Sequence, residues 1–227
     1  MIIAPSLLAS NYGRFAREVE RVERAGADWL HIDIMDGHFV PNLSFGPAVV
    51  AALRPLSKIF FDVHLMCSKP EILLEPFAQA GASQIIVHVE LGERVPQLLW
   101  KIKSLGVKVG LAVNPPTAIA QVQPHLDKID SLLIMTVNPG FGGQEFIYET
   151  LPKIQQAAVW RRDKNLRYHI EVDGGINFKT AGECAGAGAD TFVSGTTLFG
   201  RSNMKAAVKK MRQITNDNDP GLADLAV

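Results

Sequence analysis

Short apolar runs alternate with longer amphipathic stretches along the whole chain. The runs are rich in Ile, Val, Leu and Phe, a composition typical of parallel strands that are buried on both faces. They predict strands at 2–7, 29–34, 59–65, 84–89, 107–113, 131–137, 168–173 and 190–194. The stretches between them place apolar residues three and four positions apart, which predicts helices such as 11–26, 93–106 and 143–165.

The alternation of strands and helices predicts an α/β fold. It fits either a closed barrel or an open doubly wound sheet, and the count of eight strand–helix pairs favours closure. A chain of 227 residues also suits one barrel, a fold that typically needs about 250 residues. We therefore predict a single (β/α)₈ TIM barrel over 1–215. The last residues, 216–227, carry turn formers and weak periodicity, so we expect a loose C-terminal tail.

Composition limits the kinds of binding partner and the cellular compartment that we expect for this protein. Basic and acidic residues both number 23, without a dense basic run, so we expect a small-molecule partner and neither nucleic acid nor membrane. Cys67 and Cys184 lie far apart and form no CxxC pair, which argues against a disulfide, a redox motif or a zinc ribbon. The first apolar run is broken by Pro5 and Ser6 and is too short for a signal peptide, so we expect a cytoplasmic protein.

Polar side chains end most of the predicted strands. In a closed barrel the C-terminal ends of the strands build the active site, so this is where functional groups should cluster. A single polar residue at a strand end has an ordinary explanation, because solvent begins there. Recurrence on strand after strand indicates a site instead. The residues concerned are Ser6, His31, Asp33, His64, His88, Glu90, Asn114 and Asp173.

Four of these residues suggest a metal site. His31 and Asp33 are two positions apart on one strand, so both side chains face the barrel interior. With His64 and Asp173 they offer two imidazoles and two carboxylates, a set suited to one divalent cation such as Zn, Fe, Mn or Co. The alternative is four interior polar groups that bond to one another without a metal.

Two further carboxylates, Asp62 and Glu171, lie two positions before His64 and Asp173. Each shares the face of its neighbour and could orient the ligands from behind. A salt link deeper in the barrel is the simpler possibility.

Glycine-rich stretches follow the last three predicted strands, at 138–144, 173–177 and 194–197. Exposed backbone N–H groups in such loops bind phosphate without a lysine, and the loops after strands seven and eight are the usual phosphate position in these barrels. Glycine is also needed for tight turns, so each stretch alone is weak evidence. Together they predict a phosphate site at one rim.

Longer motifs surround these positions: Ile3–Ser6, His31–Gly37, Asp62–Met66, Met135–Gln144 and Val172–Ile176. In this order, over 2–200, the chain resembles the ribulose-phosphate 3-epimerase family. The resemblance implies a barrel of the ribulose-phosphate-binding type, a divalent metal on the four residues named above, and acid/base roles for Asp33 and Asp173. It also implies an isomerase of the pentose phosphate pathway, within carbohydrate metabolism, and we expect a homo-oligomer.

The resemblance further implies a set of substrate-binding residues and a cap of three methionines around the reacting carbons. The methionines could equally serve core packing. The substrate-binding residues are Ser6, His64, Gly140, Phe141, Gly142, Gly143, Asp173, Gly174, Gly175, Gly195 and Thr196, and the cap is Met35, Met66 and Met135. The chain departs from the family at 194–199, which reads SGTTLF where Ala-Gly-Ser-Ala is usual. Thr196 keeps the hydroxyl of that serine and adds a methyl group.

The implied reaction is epimerisation at C3 of D-ribulose 5-phosphate to D-xylulose 5-phosphate. Two carboxylates would transfer the proton through an enediolate, which a divalent cation stabilises as a Lewis acid. Allulose-6-phosphate 3-epimerases typically lack the second glycine of Gly174-Gly175, so the pentulose is favoured over that alternative. A decarboxylase would need a lysine near Asp33, and Ile34–Asp36 supply none. A non-catalytic phosphosugar-binding barrel is the remaining alternative.

Overall fold

The computed structural model describes residues 1–220, which form a parallel eight-stranded barrel. The strands are β1 (Ile2–Pro5), β2 (Trp29–Met35), β3 (Phe60–Met66), β4 (Gln84–His88), β5 (Lys108–Val113), β6 (Ser131–Met135), β7 (His169–Asp173) and β8 (Thr191–Ser194). Their order is β1-β8-β7-β6-β5-β4-β3-β2, with every pair parallel. A parallel bridge between Ser6 and His31 joins the two ends of this order. The predicted closed barrel and its strands are confirmed.

Helices pack around the barrel between the strands. They are α1 (Phe15–Arg24), α2 (Pro47–Leu53), α3 (Leu74–Gln79), α4 (Val95–Ser104), α5 (Leu151–Asp163), α6 (Phe178–Gly186), α7 (Thr196–Phe199) and α8 (Met204–Asp217). The outward side chains of the strands and the inward faces of these helices form one continuous apolar core. The polar strand-end residues are thereby left to the barrel interior and its mouth.

The helix predicted at 143–165 begins later than expected, because α5 starts at Leu151. The residues before it form a loop whose contacts are tertiary. The N–H of Ile147 donates to the carbonyl of Thr136 at 2.8 Å, and the backbone of Phe146 lies against Gly175. These contacts outweigh the helical spacing of the apolar residues, so the predicted start was wrong.

The connection between β5 and β6 also differs from the expected amphipathic α-helix. It is a 3₁₀ helix at Ile119–Lys128 with Pro124 inside it. Proline lacks the N–H that an α-helix needs in its interior, which explains the tighter and less regular winding.

The C-terminal helix α8 runs through Asp217 and therefore overlaps the start of the tail predicted at 216–227. Most of that predicted tail, 221–227, lies outside the described residues. Arg212 of α8 donates to the carbonyls of Met1 and Gly26 and pairs with Asp28 at 2.7 Å, which ties this helix to the beginning of the chain.

Two smaller expectations concern the thiols and membranes. Cys67 and Cys184 are both buried free thiols. Among residues 1–220, every helix is too short or too polar to cross a membrane.

Candidate active site at the barrel mouth

The four predicted metal ligands meet at the C-terminal end of the barrel. His31 and Asp33 come from β2, His64 from β3 and Asp173 from β7, and one ligand atom of each lies within 4.8 Å of all the others. Asp33 Oδ1 is 3.3 Å from both Nε2 of His31 and Nδ1 of His64. The first three side chains are buried and Asp173 is partly exposed. Register pairs Asp33 with His64, and closure of the barrel brings Asp173 of β7 to them.

His31 is oriented by carboxylates beneath it. Its Nδ1 lies 2.7 Å from Asp62 Oδ2 and 3.4 Å from Glu171 Oε1. Burial would lower the pKa of His31, but the charge of Asp33 and these contacts raise it well above its usual range. Burial and the charge of Asp62 raise the pKa of Glu171 well above its usual range. Asp62 and Glu171 thus support His31 from behind, as one of the two predictions for them proposed.

His64 differs from His31 because it is held by another histidine. Burial lowers its pKa to about 4, despite a contact with Asp33 that raises it, so His64 is a neutral imidazole at pH 7. Its Nε2 lies 2.8 Å from Nε2 of His88, and Nδ1 of His88 lies 3.1 Å from Glu90 Oε2. Two strand-end residues noted in the sequence therefore stand directly behind a predicted ligand.

The two acid/base candidates have opposite protonation states. Burial would raise the pKa of Asp33, but the charge of His31 holds it far below its usual range. The hydroxyl of Ser6 also donates to Asp33 Oδ2 at 2.7 Å. Burial and then the charge of Asp33 raise the pKa of Asp173 to about 7. One carboxyl is thus ionised while the other can hold a proton near neutral pH.

The residues fit a divalent cation. Nε2 of His31 is buried and finds no hydrogen-bond partner within residues 1–220. It faces Asp33 Oδ1, an oxygen that also faces Nδ1 of His64. Two imidazole nitrogens thus converge on one carboxylate oxygen, and two imidazoles with two carboxylates suit zinc or a first-row transition metal.

A cavity of about 160 Å³ opens above this cluster. Most of the predicted substrate-binding residues line it, together with all three predicted cap methionines, whereas His64 lies just beneath it. From the prediction, the lining includes Ser6, Asp33, Met35, Met66, Met135, Gly140, Phe141, Gly142, Gly143, Asp173, Gly174, Gly175, Gly195 and Thr196. The sequence did not single out three other lining residues, Leu8, Ala9 and Val193. All three are apolar and carry no signal beyond their place at the end of a strand.

The turn after β7 requires glycine for reasons of space and backbone angle. Gly174 has φ +115°, and a Cβ there would lie 2.3 Å from Cγ2 of Val137. Gly175 has φ +64°, and a Cβ there would lie 2.7 Å from the backbone of Phe146. This packing lets the backbone N–H groups of the turn approach the cavity, as a phosphate-binding turn requires.

The methionines serve packing as well as the cavity. Met35 and Met66 pack with Val40, while Met135 belongs to a separate buried cluster. All three also line the cavity. The added methyl group of Thr196 points towards Gly143, 3.9 Å from where a Cβ on that glycine would lie.

A supporting residue that sequence reasoning missed is Lys153 of α5. Its ammonium group donates to the carbonyls of Asn114, Pro115 and Thr117 at 2.9, 2.6 and 2.6 Å. These residues follow β5 at the mouth. No sequence pattern marks a lysine on the helix after β6 as the clamp of a loop after β5.

Fold and site together define a (β/α)₈ barrel with paired carboxylates, a cluster that could hold a divalent cation, and a glycine-lined cavity. A model of the Ribulose-phosphate 3 epimerase family matches residues 2–199. The chain therefore belongs to the ribulose-phosphate 3-epimerase family, and it is an enzyme of the isomerase class.

Individual relatives agree with this assignment. The chain is 42% identical over 211 residues to the ribulose-phosphate 3-epimerase of Bacillus subtilis, covering 92% of this chain and 97% of that one. It is 46% identical over 197 residues to the enzyme of that name from Rhodobacter capsulatus, covering 87% and 85%. Among solved structures, KGPDC from Streptococcus mutans in complex with D-R5P has a TM-score of 0.70 at 16% identity, covering 95% and 97%. At that identity the likeness shows the barrel fold alone.

Proposed function

We propose that this protein interconverts D-ribulose 5-phosphate and D-xylulose 5-phosphate by moving the proton at C3. The observation that carries the proposal is a pair of carboxyls in one cluster, Asp33 and Asp173, whose pKa values are shifted in opposite directions. Epimerisation needs a base that removes a proton from one face of C3 and an acid that returns one to the other face. The two carboxyls supply both roles.

In the forward direction the ionised carboxylate takes the C3 proton and the protonated carboxyl delivers its proton to the opposite face of a planar enediolate. Afterwards the roles are exchanged, which makes the reaction reversible. The hydroxyl of Ser6 steadies the carboxylate of Asp33. The cap of Met35, Met66 and Met135 keeps water from the reacting carbons.

A divalent cation held by His31, Asp33, His64 and Asp173 supplies charge stabilisation for the enediolate oxygens. The residues leave the choice among Zn, Fe, Mn and Co open, since imidazole and carboxylate ligands suit all four.

The phosphate end of the substrate is placed at the glycine turns. Gly174 and Gly175 line the cavity together with Gly143, Gly195 and Thr196. Backbone N–H groups there bind an anion without a charged side chain. Retention of both glycines after Asp173 supports a pentulose phosphate over allulose 6-phosphate.

Steady-state kinetics with both sugars tests this choice, on protein reconstituted in turn with each of the four metals. We expect the larger kcat/KM for D-ribulose 5-phosphate. A preference for D-allulose 6-phosphate would keep the mechanism and change the substrate. Binding of either sugar without turnover would make the protein a phosphosugar-binding barrel. The predicted cytoplasmic location and homo-oligomeric state stay predictions.

A further inference from the structure

A chain of hydrogen bonds runs from His64 away from the site. Nε2 of His64 lies 2.8 Å from Nε2 of His88, and Nδ1 of His88 lies 3.1 Å from Oε2 of Glu90. The rings of the two histidines stack at 25° with centroids 5.0 Å apart. Both histidine side chains are buried, so water cannot replace either partner. We call this chain the His64–His88–Glu90 relay.

The outer end of the relay is firmly anchored. Oε1 of Glu90 accepts the backbone N–H of Asn114 at 2.8 Å, so both oxygens of this carboxylate are acceptors. The loop that supplies this N–H is the one clamped by Lys153. The hydrogen bonds hold the pKa of Glu90 at about 2, even though its burial raises it. Glu90 is therefore ionised and has no proton to donate.

The anchor dictates the direction of every hydrogen bond in the relay. Because Glu90 only accepts, Nδ1 of His88 is the donor, and a ring that carries its one proton on Nδ1 leaves Nε2 as an acceptor. Nε2 of His64 must then donate to it. The Nδ1 lone pair of His64 consequently points into the cluster, 3.3 Å from Asp33 Oδ1.

We infer that Glu90, acting through His88, is a positioning residue that fixes the His64 tautomer whose Nδ1 can bind a divalent cation. This inference rests on the metal site of the proposed function. A metal-binding imidazole needs its other nitrogen protonated and held, and second partners of this kind are usually carboxylates or carbonyls that contact the ligand directly. Here His88 lies between the carboxylate of Glu90 and the ligand His64, so Glu90 sets the proton position on His64 through one intermediate residue.

Glu90→Gln reverses which atoms donate and which accept along the relay, and it keeps the shape of the side chain. Asn114 and His88 contact different oxygens of Glu90, and the amide replaces one of these oxygens by a donor NH₂ group, so it cannot accept from both. When its carbonyl accepts from Asn114, its NH₂ donates to Nδ1 of His88. Every bond along the relay then reverses, and Nδ1 of His64 carries a proton that it donates to Asp33. Every hydrogen bond of the relay is still made in this state of the metal-free protein, but a cation must displace the proton from Nδ1 of His64.

The test measures Zn²⁺ and Mn²⁺ affinity by competition with a chromophoric chelator, on the wild type, Glu90→Gln and the control Glu93→Gln. Glu93 lies three positions further on the same segment and is exposed. We expect Glu90→Gln to weaken binding by about 10- to 100-fold, with no loss of thermal stability in the metal-free protein. The control should match the wild type. Equal affinity of Glu90→Gln and the wild type would overturn the inference, as would a weakening explained by loss of metal-free stability.

Long-range ¹H–¹⁵N NMR of the histidine rings reads the proton order directly in metal-free protein. The relay predicts a proton on Nε2 of His64 in the wild type and on Nδ1 in Glu90→Gln. The same tautomer in both proteins contradicts the inference. Failure of the wild type to bind either metal would instead refute the metal site of the proposed function, and the NMR comparison would still decide whether Glu90 orders His64.

Discussion

The hydroxyl of Ser6 donates a 2.7 Å hydrogen bond to Oδ2 of Asp33, the carboxylate proposed as base. The bond joins the end of β1 to β2 at the point where the barrel closes. Ser6 therefore both completes the barrel and holds the proposed base in place.

Ser6→Ala should lower kcat by about tenfold with little effect on KM, since a hydrogen bond to a charged group contributes about 1.5–3 kcal/mol and the alanine leaves one carboxylate oxygen unpaired. Steady-state kinetics measures the effect. Ser10→Ala is the matched control, because the Ser10 hydroxyl is buried without a hydrogen-bond partner in the described part of the chain. Equal losses in both variants would remove Ser6 from the proposed machinery.

Gly174→Ala should destabilise the fold by more than about 2 kcal/mol, because it combines an unfavourable backbone angle with overlap on the side chain of Val137. Gly26→Ala separates the two effects. Gly26 has φ +77° but open space around it among the described residues. The free energy of unfolding of Gly26→Ala should therefore fall by only about 1 kcal/mol. Urea unfolding of both proteins measures the difference. Equal losses of unfolding free energy in the two variants would show that the Val137 side chain moves aside and that the turn is not tightly packed.

Metal affinity should depend on pH through Asp173, whose pKa is raised to about 7. Above that pH the carboxyl is already ionised, whereas below it the cation must displace a proton. Affinity for Zn²⁺ should therefore weaken by at least about tenfold per pH unit between about pH 7 and pH 5. Calorimetry in buffers of different ionisation enthalpy counts the released protons. An affinity independent of pH over this range would mean that Asp173 is ionised throughout or is not a ligand.

Lys153→Met should destabilise the protein by about 1–3 kcal/mol, because three carbonyls of the loop after β5 lose a charged donor. Hydrogen exchange should show faster opening at Thr117, whose N–H bonds within this loop. Lys164→Met, at the exposed end of the same helix, is the control. A loop that stays protected in Lys153→Met would show that the lysine is not its clamp.

The strands and the ligand set could be predicted from the sequence because both follow from local rules. A buried parallel strand must be apolar throughout, and a polar residue at its C-terminal end must lie at the mouth of the barrel. His31 and Asp33 share a face by simple alternation, and register places His64 beside Asp33.

The remaining features depend on contacts between segments that are distant in sequence. The loop before α5 has helical spacing, but Ile147 bonds to Thr136 instead. His88 and Glu90 were visible as strand-end residues. Their link to His64 depends on ring orientation across two strands, and no pattern of residue types encodes it.

The central claim is that two carboxyls, Asp33 and Asp173, act on opposite faces of C3. The most direct test incubates metal-reconstituted protein with D-ribulose 5-phosphate in D₂O and follows C3 by NMR during the first turnovers. With two groups, the proton that leaves is not the one that returns, so D-xylulose 5-phosphate should carry solvent deuterium at C3 from the first turnover. Product that retains the original hydrogen at C3 would show that a single group removes and returns it, and would contradict the account.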